Sequence, residues 1–270
     1  MGVLNVTPDS FSDGGELLRD DQPALDRVLE RAQSMVAAGA SILDIGGESS
    51  RPGAQPVTPA EELDRVLPVI EALRDLDCVL SIDSYRPAVA QAAVAAGAGL
   101  VNDITGGRDG TMLAAVAETT AAYCIMHMQG EPQSMQDAPH YDDVLAEVGT
   151  FLMDRHRAAR AAGIEGDRLL IDPGFGFGKT LAHNVTLLAG MRALCELGPP
   201  VLVGLSRKRM LGELTGQPVT RRMPAGLAAA VLAVAGGARI VRTHDVAATA
   251  DAVAVCAATG AGASGFEFRE

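Results

Sequence analysis

In SILDIGGESSRPG (41–53) an apolar, β-branched run ends at a glycine pair and a polar, charged cluster follows at once. The same switch occurs seven more times: at GVLNV (2–6) before TPDSFSDGG, CVLSID (78–83), GLVNDI (99–104), AYCIMHMQG (122–130), RLLIDPGFGFGKT (168–180), PVLVGLSRKR (200–209) and RIVRTHD (239–245). The stretches 23–38, 59–75, 86–97, 110–119, 141–162, 183–196, 220–236 and 246–258 read as helices. Strand then helix, eight times over, is the pattern of an α/β protein built as a (β/α)8 TIM barrel. The runs are continuous rather than alternating, which suits parallel strands covered on both faces. In this fold the C-terminal strand ends converge on one face, where active sites are built. The polar clusters, scattered in sequence, are therefore expected to meet around one ligand.

A chain of 270 residues matches one barrel of about 250 residues without remainder. Residues 1–258 are expected to form that single domain, and the Gly/Ala-rich tail 259–270 to be poorly ordered. Hydrophobic residues make up 48% of the chain, aromatics only 3%, and Trp is absent, so Ala, Val, Leu and Ile must fill the core. A net charge of −12 argues against nucleic acid and anionic membrane surfaces as partners, since both require basic patches. The longest apolar stretch, 223–238, lies between Arg222 and Arg239 and contains Pro224 and a Gly pair. It is shorter than the roughly 20 residues a membrane span needs. Cys78, Cys124, Cys195 and Cys256 lie far apart, as reduced thiols of a cytoplasmic protein would.

Local signals agree with this division. Thr58-Pro59-Ala60-Glu61 combines an N-cap Thr, a Pro at the first helical position and a Glu three residues after the cap. Gly39, Gly97 and Gly163 follow helices, where left-handed backbone is expected. The long connections 7–22 and 46–58, rich in Gly, Pro, Ser and Asp, are expected to act as lids over the active face.

Of 22 basic residues only Lys179 and Lys208 are lysines, and both fall in strand-end clusters. A compact, flexible ammonium is needed where a planar guanidinium does not fit. Lys208 is expected to touch the ligand and Lys179 to hold its loop. Asp83 and Asp172 each end a strand, and Asn102-Asp103 end another. Carboxylates at a barrel mouth can accept paired N–H donors from a heterocycle such as guanine or pterin. Arg51, Arg207, Lys208, Arg242 and His244 place positive charge at strand ends of an acidic protein, which suits an anionic group such as phosphate. SRKR and RTHD fall after strands 7 and 8, where barrels often bind phosphate. GFGFGKT is not a nucleotide P-loop, because Pro173 occupies the place of the first Gly. No Cys/His zinc pattern is present. Asn5, with phosphate oxygens and waters, can support Mg²⁺. His140, His156 and His183 read as surface or packing residues.

Taken in order, MGVLNVTPDSFSDGG, DIGGESSRPG, SIDS, VNDI, MHMQGEPQSMQ, IDPGFGFGKT, LSRKRMLG and RTHDV closely resemble the dihydropteroate synthase family of bacterial folate synthesis, from residue 1 to about 250. That family joins 6-hydroxymethyl-7,8-dihydropterin diphosphate to para-aminobenzoate, releasing diphosphate. It is the sulfonamide target, uses Mg²⁺ and is typically a homodimer. The resemblance implies that Asp83, Asn102, Met126, Asp172 and Lys208 bind the pterin, and that Asn5, Arg242 and His244 bind the diphosphate, Asn5 also through Mg²⁺. Phe11, Ser50, Arg51, Pro52, Phe177 and Ser206 would form the para-aminobenzoate pocket, with the helix start after Lys208 facing the carboxylate. Catalysis would then rest on Lys208, Asp83, Asp172, Arg242 and His244.

Ser50 stands where many members have Thr, and Arg209 replaces a Ser of some relatives. The chain begins inside the first strand, and loss of a preceding segment would be expected to affect stability. Two other readings compete: methyl transfer from methyltetrahydrofolate, and a non-catalytic pterin-binding homologue. The first needs no diphosphate site, yet SRK and RTHD are present; the second should have lost loop residues, yet Asn5, Ser50, Arg51 and Lys208 are in place.

Overall fold

Alternate residues of a parallel strand face opposite ways, so each strand of this chain writes two messages, one outward to its helix and one inward to the barrel. The computed structural model describes residues 1–7, 17–19, 22–49 and 55–260. Phe11, Ser50, Arg51, Pro52 and the tail 261–270 lie outside the described residues.

The eight expected strands are present as β1 (Gly2–Asn5), β2 (Ile42–Gly46), β3 (Val79–Asp83), β4 (Leu100–Asp103), β5 (Ala122–Met126), β6 (Leu169–Asp172), β7 (Leu202–Gly204) and β8 (Ile240–Arg242). β1 to β6 form one continuous parallel ladder in chain order, and β7 pairs with β8. The two groups meet at two seams, each a single parallel bridge: Ile171 with Val201 and Gly2 with Thr243. A small antiparallel pair, Leu18–Arg19 with Gln22–Pro23, precedes the first helix.

The helices are α1 (Leu25–Ala37), α2 (Pro59–Leu73), α3 (Pro87–Ala96), α4 (Thr111–Ala117), α5 (Val144–Ala161), α6 (Leu181–Ala189), α7 (Met191–Cys195), α8 (Arg209–Thr215), α9 (Met223–Ala235) and α10 (Val246–Ala258). Thr58 makes the expected capping box with Glu61. Gly39, Gly97 and Gly163 all take positive φ. The helix expected over 183–196 starts earlier, at Leu181, and is interrupted at Gly190. There α5 packs so closely that a Cβ would lie 2.7 Å from the Leu145 side chain.

The outward message builds the main core, in which Leu4, Leu43, Ile45, Ile82, Val101, Ile125, Ile171 and Val203 of the strands pack against helix residues such as Val28, Val66, Ile70 and Leu152. The inward message begins apolar. Met1, Ile42, Leu100, Ala122, Cys124, Leu170, Leu202 and Ile240 form a separate cluster that plugs the barrel. Two residues further along the same faces stand Asp44, Asn102, Met126, Asp172, Gly204 and Arg242. A greasy floor thus carries a polar layer above it, and the parallel registers bring Asp44 level with Ser81, Asp83 with Asn102 and Met126 with Asp172.

Candidate active site

Arg242, at the end of β8, organises this polar layer. Its Nε donates to Asp44 Oδ2 at 2.6 Å and its Nη2 to Asp83 Oδ2 at 2.7 Å. Asp44 is fully buried and also accepts from Ser81 Oγ at 2.6 Å and Asn102 Nδ2 at 3.1 Å. Burial works against the Arg242 charge, but Asp44 and Asp83 more than offset it and hold its pKa above the ordinary value. Burial pushes Asp83 up to about 7, against the pull of Arg242. Gly46 shows how near Asn5 stands: a Cβ there would meet Asn5 Oδ1 at 3.1 Å and the Asp83 Cβ at 3.7 Å. Asn5, Asp44, Asp83, Asn102 and Arg242 therefore share one corner of the barrel mouth.

The opposite corner is built by the loop after β6. Asp172 Oδ1 accepts from Gly174 N at 2.7 Å, and burial raises its pKa. Gly174 takes φ +68, and its α-carbon passes so near the His127 carbonyl that no side chain fits. Lys208 caps α8, donates from Nζ to the Phe175 carbonyl, and sits 4.3 Å from the centre of the Phe177 ring. Its stem runs over Gly176, where a Cβ would lie 3.1 Å from Lys208 Cδ. Burial lowers its pKa to about 8, with the Asp172 charge pulling the other way. Met126 is buried with Ile104, Met128 and Met135, and Phe177 and Tyr85 pack on that cluster. This apolar cluster lies beside two carboxylates: Met126 is level with Asp172, and Ile104 lines a cavity with Asp83.

Lys179 holds its loop, as expected. Its buried Nζ contacts His127 Nδ1 at 2.9 Å and donates to the carbonyls of Gly174 and Phe177 at 3.0 Å each. Asn184 completes the clamp by accepting from Gly176 N and donating to Thr180 O, both at 2.7 Å. Lys179→Met would leave three buried acceptors without a donor. It should cost at least about 3 kcal/mol of stability, taking the low end of roughly 1 to 3 kcal/mol for each unsatisfied group. Chemical denaturation measures this, and an unchanged midpoint and slope would remove Lys179 from the role.

At the β7–β8 end, His244 Nδ1 lies 3.0 Å from Ser206 Oγ. Arg207, at φ +58, makes two bonds to Asp245, at 2.6 and 3.2 Å. Its guanidinium is thus paired with a carboxylate, as that of Arg242 is with two. Asp103 likewise serves its own loop, accepting from Thr105, Gly107 and Tyr123. Arg209 is exposed and pairs with Glu213 on the next turn of α8. Among the described residues no group of three or more His, Cys, Asp or Glu gathers as a metal site. Asp44 and Asn184 were missed in the sequence. Asp44 sits inside an apolar run, and only the period of two, counted from Ile42, marks it as inward-facing.

The mouth of the barrel combines inward carboxylates, a buried apolar cluster and a lysine whose pKa burial lowers, and the family described as pterin binding enzyme matches residues 1–244, which makes the chain a member of that class. The dihydropteroate synthase of Escherichia coli strain K12 is 46% identical over 260 residues, 96% of this chain and 90% of its own length. The sulfonamide-bound dihydropteroate synthase of Yersinia pestis superposes with a TM-score of 0.91 at 48% identity, covering 96% of this chain and 93% of that one. The Xanthomonas albilineans enzyme with 4-aminobenzoic acid gives 0.87 at 52% identity, covering 96% and 92%. The chain belongs to the dihydropteroate synthase family, and it is a transferase.

Proposed function

We propose that this chain condenses 6-hydroxymethyl-7,8-dihydropterin diphosphate with para-aminobenzoate, giving 7,8-dihydropteroate and diphosphate. The observation that carries the proposal is the set of Asp83, Asn102, Asp172 and Lys208 gathered at the barrel mouth beside the Met126 cluster. Asp83 and Asp172 accept the N–H donors of the pterin edge. Asn102, its Nδ2 committed to Asp44, offers Oδ1 as an acceptor. Lys208 donates to the pterin carbonyl and ring nitrogen. Asn5, Arg242 and His244 take the diphosphate, and Phe177 and Ser206 join Phe11, Ser50, Arg51 and Pro52 around para-aminobenzoate.

Diphosphate leaves readily once its charge is balanced. The C–O bond at the pterin methylene breaks early, because the electron-rich dihydropterin spreads the developing cation. The arylamine nitrogen then attacks that carbon and loses a proton. No strong general base is required. The protein supplies electrostatic stabilisation of the leaving group, and exclusion of water that would otherwise capture the cation. Mg²⁺ fits a site with one hard oxygen donor, since this ion commonly keeps its waters and takes its other ligands from substrate phosphates. Asn5 would hold it, and the ion would neutralise charge on the leaving diphosphate. Asn5→Ala should raise the Mg²⁺ concentration for half-maximal rate by about tenfold or more; a rate curve that coincides with the unmutated protein's would exclude Asn5 as its ligand.

A homodimer is proposed as well. α9 and α10 pack on one another and leave Leu232 and Val255 59% and 64% exposed, with Val231 and Met223 also open. The four cysteines are free thiols, which supports a cytoplasmic setting. No helix among the described residues is long and apolar enough to cross a membrane.

Diphosphate release with Mg²⁺, omitting each organic substrate in turn, tests the activity. Release that needs both, with dihydropteroate formed, supports it. Tight binding of the pterin diphosphate without turnover would favour the non-catalytic reading.

A further inference from the structure

The turn that delivers Lys208 has a backbone conformation that its residue types do not favour. Lys208 N donates to the Leu205 carbonyl at 3.3 Å, closing a tight turn over Ser206 and Arg207 between β7 and α8. Arg207 takes φ +58 there and is the one non-glycine residue with positive φ among the described residues. Left-handed backbone is unfavourable for a residue with a side chain, and it persists only where the surroundings fix it from several sides. One tie is the Arg207 side chain, bonded to Asp245. A second comes from Arg222, just before α9. Its Nη1 donates to the Arg207 carbonyl at 3.2 Å and its Nε to the Gln217 carbonyl at 3.1 Å.

A glycine makes room for Arg222. Gly212 lies inside α8, and a Cβ there would stand 2.5 Å from Arg222 Cζ. Alanine is the better helix former at such a position. The missing Cβ lets the guanidinium lie against α8 while its fork spans two carbonyls. Both bonds go to backbone, so Arg222 fixes the path of the chain. The Arg207 carbonyl shares one planar peptide unit with the Lys208 nitrogen. The bond from Arg222 therefore acts on the plane from which Lys208 extends. From there Lys208 Nζ reaches the Phe175 carbonyl and lies 4.3 Å from the centre of the Phe177 ring.

We propose that Arg222 is a positioning residue for the pterin, holding the 207–208 peptide so that the Lys208 ammonium is aimed at the ligand. This rests on the proposed contact between Lys208 and the pterin. A fixed peptide matters because misplacing a substrate-orienting group by even 1 Å can cost about a hundredfold.

The test is calorimetric binding of the pterin diphosphate, in the presence and absence of Lys208. Arg222→Met keeps the apolar stem, removes both donors and should raise the Kd by about tenfold or more. Gly212→Ala should act in the same direction, because the new methyl displaces the guanidinium while Arg222 stays in the chain; it carries the same expectation if Arg222→Met does not fold. Arg222→Lys should recover part of the loss, since an ammonium reaches one carbonyl but does not span both. In a Lys208→Ala background, Arg222→Met should raise the Kd by no more than about twofold further, because no ammonium is left to aim. A role in stability alone predicts the same further rise in both backgrounds, and that result overturns the proposal. An unchanged Kd in the folded variants overturns it as well. Lys208→Ala alone separates the two failures. If it leaves the Kd unchanged, the contact of Lys208 with the pterin fails. If it raises the Kd while Arg222→Met does not, only the positioning role fails.

Discussion

Lys208→Ala should lower kcat/KM for the pterin diphosphate about 100-fold. A hydrogen bond from a charged donor in a sheltered site contributes roughly 1.5 to 3 kcal/mol, and 1.36 kcal/mol is a factor of ten in rate. Phe177, stacked beside the ammonium, also loses its cation, so the site is altered on two sides. The pH profile makes the prediction specific. Lys208 is drawn down to about pKa 8, so its ammonium is progressively lost as pH rises through that value. Asp83 is raised to about 7, so its carboxylate is progressively lost as pH falls through that value. The free protein is therefore competent between these limits, and kcat/KM should decline on both sides. Lys208→Ala should abolish the basic limb near pH 8 and keep the acidic one. A mutant profile that retains both limbs would show that another group titrates there. Near-normal kinetics would remove Lys208 from the site altogether.

Much of this arrangement was legible because the barrel imposes two simple rules. Apolar runs that end in polar clusters become strands whose ends converge, which placed Asp83, Asn102, Asp172, Lys208 and Arg242 at one mouth before any contact was known. The capping box at Thr58 and the positive φ of Gly97 followed from local chemistry alone. The parts that escaped depend on distance through space. Asp44 reads as a polar interruption of SILDIGG, and its partner Arg242 lies 198 residues away. Arg207 pairs with Asp245 across 38 residues and takes a left-handed backbone, which no residue type there announces. The break of a helix at Gly190 was invisible because Leu145, the side chain that demands it, belongs to another helix.

Asp44→Ala should be the most damaging single change among the described residues of the site. It removes a buried carboxylate that balances Arg242 and accepts from Ser81 and Asn102. Deleting one member of a buried ion pair typically costs about 3 to 5 kcal/mol; Arg242 keeps Asp83 as a partner, so the lower end of that range is expected. For a protein of this size that corresponds to a fall in Tm of about 10 °C. Activity should fall as well, by about 100-fold in kcat/KM for the pterin diphosphate, since both Arg242 and Asn102 lose the group that aims them. Asp44→Asn separates the two effects. It keeps the volume and one acceptor oxygen, so it should fold more stably than Asp44→Ala, yet it loses the charge that orients the guanidinium. If Asp44→Asn folds well and turns over normally, Asp44 is a packing residue and no more. A double-mutant cycle with Arg242→Ala tests the coupling directly. With Arg242 gone, Asp44→Ala removes a buried carboxylate that has already lost its cation, so the double variant should be less destabilised than the sum of its parts. Strict additivity would mean that the 2.6 Å contact carries no net coupling. The corner that aims Arg242 and Asn102 would then owe its geometry to the barrel register alone.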